Sequence, residues 1–214
     1  MRVKICGLTR LEDVNTALNE GADAVGFVVE SPLSPRNLTF SKARRLVKAA
    51  RIFSTAVAVT SAREPKRMLK ICTRLRPTAL QLHYHTPKLI HLIRKQEPST
   101  KIILATQVRG TLSLRSASAC AHYSDAVLAD SPSLTGLGGT GVVGNWGLTA
   151  RIRKSIFPHP LILAGGLTAR NVRAAIEKVK PFAVDVSSGV ERSVGIKDHD
   201  KIREFIMNAK ETPA

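Results

Sequence analysis

The chain has 214 residues, 43% of them hydrophobic, enough for one large domain or two small ones with a sizeable core, which argues against global disorder. No apolar stretch reaches the roughly 18 residues of a membrane span, and the N-terminus lacks the basic start, apolar run and cleavage site of a signal peptide, so a cytoplasmic protein is expected. Lys plus Arg number 33 against 16 for Asp plus Glu, a formal net charge of +17 that attracts anions; with only 4% aromatics, no zinc finger and no stacking motif, the pattern counts against nucleic acid as the partner.

The first predicted strand, Val3–Cys6, is an apolar run that ends in a thiol and is followed by Gly7. Position alone leaves Cys6 open between a reactive and a buried, inert cysteine; an electropositive surrounding would favour the reactive thiolate. Leu11, Val14, Ala17 and Leu18 then share one helical face. The second run, Ala24–Val29, leads to Ser34-Pro35-Arg36, where proline stiffens the loop and Arg36 is either a bidentate clamp for a carboxylate or a solvated side chain. Ala43, Leu46, Val47 and Ala50 form the next helical face, and Thr55–Val59 the third strand. The helical stretch after it carries Cys72 among apolar residues, expected in the core.

The fourth run, Ala79–Leu82, is followed by His83, a ligand contact or a hydrogen-bonded structural histidine. Ile102–Thr106 is the fifth, and the Ser-rich segment Thr111–His122, with Cys120, is the fifth helix. The three cysteines lie far apart and form no zinc pattern, so no metal is expected. The sixth run, Ala126–Ala129, ends at Asp130, either a general acid or a loop-fixing carboxylate, before Gly138-Gly139-Thr140-Gly141 and an irregular stretch up to Leu148. Leu161–Ala164 leads into Gly165-Gly166 and a helical face of Val172, Ala175, Ile176 and Val179. The eighth run, Ala183–Ser187, contains Asp185 and leads into Ser188-Gly189; Ile202, Phe205 and Ile206 mark the last helix.

Most of these runs are continuously apolar, as parallel strands covered on both faces require. Eight strand–helix alternations over residues 1–214 predict an α/β fold, a single-domain (β/α)8 TIM barrel with parallel strands. An open doubly wound sheet would place GxGxxG after the first strand, and Cys6-Gly7-Leu8-Thr9-Arg10 is not that motif. In a barrel, Cys6, Arg36, His83, Asp130 and Asp185 converge at one end, and Gly-rich loops after the last three strands suit a phosphate.

KICGLTR, GADAVGFV, SPR, LQLH, the Asp before GGTG, LAGGLT-x-x-NV, VDVSSGVE and GIKD follow one another from residue 3 to about 205. In this order they resemble the phosphoribosylanthranilate isomerase family of tryptophan biosynthesis. The resemblance implies an Amadori rearrangement of a sugar phosphate without cofactor or metal, in a monomer or homodimer. It implies Asp130 as general acid, Cys6 as general base, Arg36 on the anthranilate carboxylate, and His83 and Asp185 lining the site. Gly141, Gly165, Gly166, Ser188 and Gly189 would hold the phosphate. The chain departs from the family pattern at Tyr84, Gly144-Asn145-Trp146 and Val194, and in the loop Glu30-Ser31-Pro32-Leu33. A related isomerase of histidine biosynthesis uses aspartates at the ends of strands one and five, where this chain has Cys6 and Thr106-Gln107.

Overall fold

A computed structural model describes residues 1–50, 52–110, 112–130 and 145–212. Eight parallel strands close into a barrel in sequential order, the first pairing with the last. They are β1 (Arg2–Ile5), β2 (Ala24–Val28), β3 (Thr55–Thr60), β4 (Ala79–Leu82), β5 (Lys101–Gln107), β6 (Ala126–Asp130), β7 (Leu161–Leu163) and β8 (Ala183–Val186). Between and after them run α1 (Leu11–Asn19), α2 (Phe40–Val47), α3 (Pro65–Leu75), α4 (Pro87–Gln96), α5 (Leu112–Tyr123), α6 (Trp146–Ile156), α7 (Val172–Val179) and α8 (His199–Glu211). A two-stranded antiparallel hairpin, β9 (Glu191–Ser193) and β10 (Ile196–Lys197), sits between β8 and α8. The architecture is the expected (β/α)8 barrel, and the predicted strands differ from the observed ones by one residue at most at either end. Among the described residues no helix is long and apolar enough to cross a membrane.

Each strand sends alternate side chains to opposite layers. Val3, Ile5, Val25, Phe27, Leu80, Leu82, Ile102, Leu104 and Val184 face the helices and merge into one dry apolar cluster with Val14, Met68, Ile90, Ile152, Ile176 and Phe205. Inside the barrel lies a second, smaller cluster containing Cys6, Val28, Val57, Val59, Ile103, Leu128 and Ile162. Both layers are buried, which is why the strands read as unbroken apolar runs instead of an alternating pattern.

The predicted helical faces largely hold. Val172, Ala175, Ile176 and Val179 are all buried, as are Ile202, Phe205 and Ile206. Leu11 is the exception: it opens α1 and is 45% exposed, while Val14, Ala17 and Leu18 are buried. Ala50 lies past the end of α2 and is only partly buried. The Ser-rich segment does form α5, and Cys72 and Cys120 are buried in the helical layer as expected. Asn145, one of the residues departing from the family pattern, caps α6 by accepting from the Leu148 N–H at 3.0 Å.

Candidate active site

The C-terminal ends of the strands open onto one cavity, lined by Cys6, Arg36, His83, Asp130, Gly165, Gly166, Asp185, Ser188 and Gly189, with Gln81 and Ser187 beside them. Of the ten residues singled out in sequence, nine therefore meet in one place; Gly141 lies outside the described residues. Among the described residues no group of three or more His, Cys, Asp or Glu side chains is placed to hold a metal ion.

Cys6 follows β1 directly, and its N–H still bonds the Val186 carbonyl of β8 at 2.8 Å. Lys4 lies two residues earlier and faces the same barrel interior. The β1–β8 register sets Lys4 opposite Asp185, and Lys4 Nζ meets Asp185 Oδ1 at 2.9 Å with both side chains buried. Burial pushes the Cys6 thiol above its ordinary range; Lys4 pulls it down and Asp185 pushes it up, leaving a net rise. Burial disfavours the Lys4 ammonium, but Asp185 and Cys6 outweigh it and hold the lysine above its usual range.

Arg36 reaches the cavity from the β2–α2 loop across Gly7. That glycine has a φ of +70°, and a Cβ there would fall 2.6 Å from Arg36 Cδ and 2.7 Å from Ser187 Oγ. The guanidinium fork is held within the chain: Nε donates to Glu191 Oε1 at 2.7 Å and Nη2 to Oε2 at 2.6 Å. Lys197 Nζ donates to the same Oε1 at 3.0 Å and to the Ser187 carbonyl at 2.9 Å. Burial alone would raise Glu191; its bonds to Arg36 and Lys197 overcome that and keep the carboxylate below its usual range. Burial moves Lys197 the other way, below the usual lysine range, against the pull of Glu191. Because Glu191 takes the Nε/Nη2 edge, a second carboxylate can approach Arg36 only at the Nη1/Nη2 edge.

On the far side of the cavity His83 continues the inward face of β4, 3.4 Å from Gln81 Nε2. His83 is open to solvent at the cavity mouth, while the protein crowded around it and then the Lys4 charge both favour the neutral imidazole. Gln81 Oε1 is a buried acceptor with no hydrogen-bond partner among the described residues. Asp130 closes β6 and is partly buried. Gly165 and Gly166 turn the chain after β7 with φ of +88° and +65°, which a Cβ would strain. The short 3-10 turn Ser188–Val190 packs against that turn so tightly that a Cβ on Gly189 would overlap the Leu167 carbonyl.

Sequence reasoning missed Lys4, Gln81, Glu191 and Lys197 as members of this site. A signal existed for the first: a lysine two residues before Cys6 in a buried strand shares the cysteine's face. Gln81, likewise, lies two residues before His83. Nothing local marks Glu191, whose partner Arg36 lies 155 positions away, or Lys197, which reaches Glu191 and the Ser187 carbonyl only through the turn of the hairpin.

A sequence profile described as N-(5'phosphoribosyl)anthranilate (PRA) isomerase matches residues 3–208. The N-(5'-phosphoribosyl)anthranilate isomerases of Methanothrix thermoacetophila and Geobacter sulfurreducens are each 41% identical, with 98% of both chains covered in each comparison. The crystal structure of phosphoribosyl anthranilate isomerase from Thermotoga maritima superposes with a TM-score of 0.87 at 40% identity, covering 98% of each chain. The chain belongs to the phosphoribosylanthranilate isomerase family. A further solved phosphoribosylanthranilate isomerase, 38% identical with a TM-score of 0.83 and 98% of each chain covered, holds reduced 1-(o-carboxyphenylamino)-1-deoxyribulose 5-phosphate. Among the departures from the family pattern, Tyr84 is exposed with Arg63 stacked 5.1 Å over its ring, and Val194 is exposed at the β9–β10 turn.

Proposed function

We propose that this barrel, a single domain over residues 1–214, isomerises N-(5'-phosphoribosyl)anthranilate to 1-(2-carboxyphenylamino)-1-deoxyribulose 5-phosphate. The observation that carries the reading is the meeting of a thiol, a carboxyl group, an arginine and two glycine-bearing turns in one cavity, from strand ends far apart in sequence. The substrate asks for these groups. Its phosphate suits the turns at Gly165-Gly166 and Ser188-Gly189, with Gly141 as a further member, and its anthranilate carboxylate suits the open edge of Arg36. Held at both ends, the sugar is fixed between Cys6 and Asp130, so that remote binding energy orients the reacting carbons.

The chemistry is two proton transfers. Asp130, protonated, donates to the furanose ring oxygen; the C1–O bond breaks and the nitrogen lone pair forms a protonated Schiff base. Cys6, as thiolate, removes the C2 proton, and the electrons move into an enolamine that tautomerises to the ketone. His83 and Asp185 line the path in supporting roles, and neither step draws on a cofactor. The protein acts as a monomer or homodimer; a Thermotoga maritima relative is described as a dimeric enzyme from which monomers were generated.

The test is the decay of anthranilate-type fluorescence with substrate generated in situ. Parent protein accelerates the decay, and Cys6→Ala or Asp130→Asn lowers it by about 10²–10⁴-fold while circular dichroism stays native. Undiminished turnover in either folded variant removes that residue's role; no acceleration by the parent removes the reading as a whole.

A further inference from the structure

We propose that Lys4 is the positioning residue of the base: steered by Asp185, its ammonium lies beside the Cys6 side chain and makes the thiolate that proton abstraction needs less costly to form. The proposal rests on the reading of Cys6 as general base.

Three independent features of the fold bring these groups together. Strand alternation puts Lys4 and Cys6 on the same inward face of the β1 segment. The β1–β8 register pairs Lys4 with Asp185, and the 2.9 Å contact from Nζ to Oδ1 fixes where the ammonium can lie. On the neighbouring strand, Gly26 leaves the space both side chains occupy: a Cβ there would fall 2.8 Å from Cys6 Sγ and 3.2 Å from Lys4 Cε. The sulfur and the lysine's terminal carbon thus rest over one patch of bare backbone.

Stability gives little reason for this arrangement. A buried ion pair is commonly no better for folding than an apolar pair of the same volume, and the rest of the barrel interior shows that apolar residues fit there. Chemistry gives a reason. A buried thiol resists ionisation, and a nearby cation opposes that resistance: burial raises the Cys6 thiol, and the Lys4 charge offsets part of the rise. The other charges facing Cys6 do not replace it. Asp185 from β8 works against the thiolate. Lys197 from β10 and Arg36 from the β2–α2 loop share Glu191, while His83 after β4 favours its neutral form and Asp130 ends β6 across the cavity. Lys4 keeps its own proton throughout, so it serves as counter-charge and not as a second base.

Lys4→Met keeps the length of the side chain and removes the charge. The readout is thiolate absorbance in the far ultraviolet against pH, taken as the difference between each protein and its matching Cys6→Ala variant. The thiolate midpoint is expected to rise by at least about one pH unit, with turnover at neutral pH falling about tenfold or more and recovering as pH is raised toward the new midpoint. Should the single variant unfold because Asp185 is left unpaired, Lys4→Met/Asp185→Asn is compared with Asp185→Asn, and the same upward shift is expected. An unchanged midpoint, a parent protein whose Cys6 never titrates, or unfolding of both variants overturns the proposal. Full turnover in Cys6→Ala overturns the underlying reading instead, so the two failures are distinguishable.

Discussion

Neighbouring residues on one strand of this barrel live under different rules. Phe27 faces the helices and is fully buried among apolar side chains, whereas Gly26, one residue earlier, faces the barrel interior under Lys4 and Cys6. The outer layer is filled with large hydrophobic residues and holds the barrel to its helices. The inner layer gives up volume and apolar surface to seat Lys4, Cys6, Gln81 and Asp185. Stability and function are thus separated by the two-residue period of the strand, and a change at one position should leave the other property largely alone.

The sharpest way to break this separation is Phe27→Ala, which opens a cavity in the outer layer. It is expected to lower unfolding free energy by about 3–5 kcal/mol in urea titration, while kcat per folded molecule stays near the parent value. Gly26→Ala is the converse. Its methyl group collides with Cys6 Sγ, so turnover is expected to fall about 10²-fold with a much smaller change in the urea midpoint. A loss of kcat in Phe27→Ala as large as in Gly26→Ala would show that the layers are coupled.

Between these extremes lies Glu191. Glu191→Gln leaves Arg36 and Lys197 without their shared carboxylate, and breaking a buried pair this way costs about 3 kcal/mol. Because the loss is felt first by the Arg36 guanidinium, KM is expected to rise more than kcat falls in steady-state kinetics. The acid limb of stability sharpens the same point. Asp13 is fully buried; burial would raise it, but bonds from Arg10, His199 and the Lys197 N–H leave it below the usual carboxylate range, and Glu191 is lowered as well. Groups lowered in the folded state stabilise it above their unfolded value of about 4, and this stabilisation is lost as pH falls from there through the folded values. Urea midpoints are therefore expected to decline below about pH 4, less steeply in Asp13→Asn. The smallest effect belongs to the surface: Arg173→Ala removes an exposed pair with Glu211 and is expected to change unfolding free energy by no more than about 0.5 kcal/mol.

The barrel was legible in the sequence because continuous apolar runs and three-to-four-residue helical spacing are local signals, and they located all eight barrel strands, though not the short β9–β10 hairpin. Cys6, Arg36, His83, Asp130 and Asp185 were legible because strand ends converge in this fold. Leu11 misled because spacing cannot tell which turn of a helix overhangs its layer. Lys4 was overlooked since a charged residue within a strand reads as an interruption until its partner is known, and Asp185 stands 181 positions away. Glu191 and Lys197 needed the hairpin geometry that sets Glu191 between Arg36 and Lys197. Pairings over such distances belong to topology, and residue order carries them only through the register of β1 on β8.

That seam between the first and last strands has a consequence for biosynthesis. A nascent chain that has emerged from the ribosome only through β7 already carries Cys6, Arg36 and Asp130, but neither Asp185 nor Glu191. Lys4 then lacks its steering partner and Arg36 its clamp, and the barrel has an open edge beside the thiol. On the proposed mechanism, turnover is expected only once the final strand is translated and zipped onto the first, and a product truncated before β8 is expected to be inert.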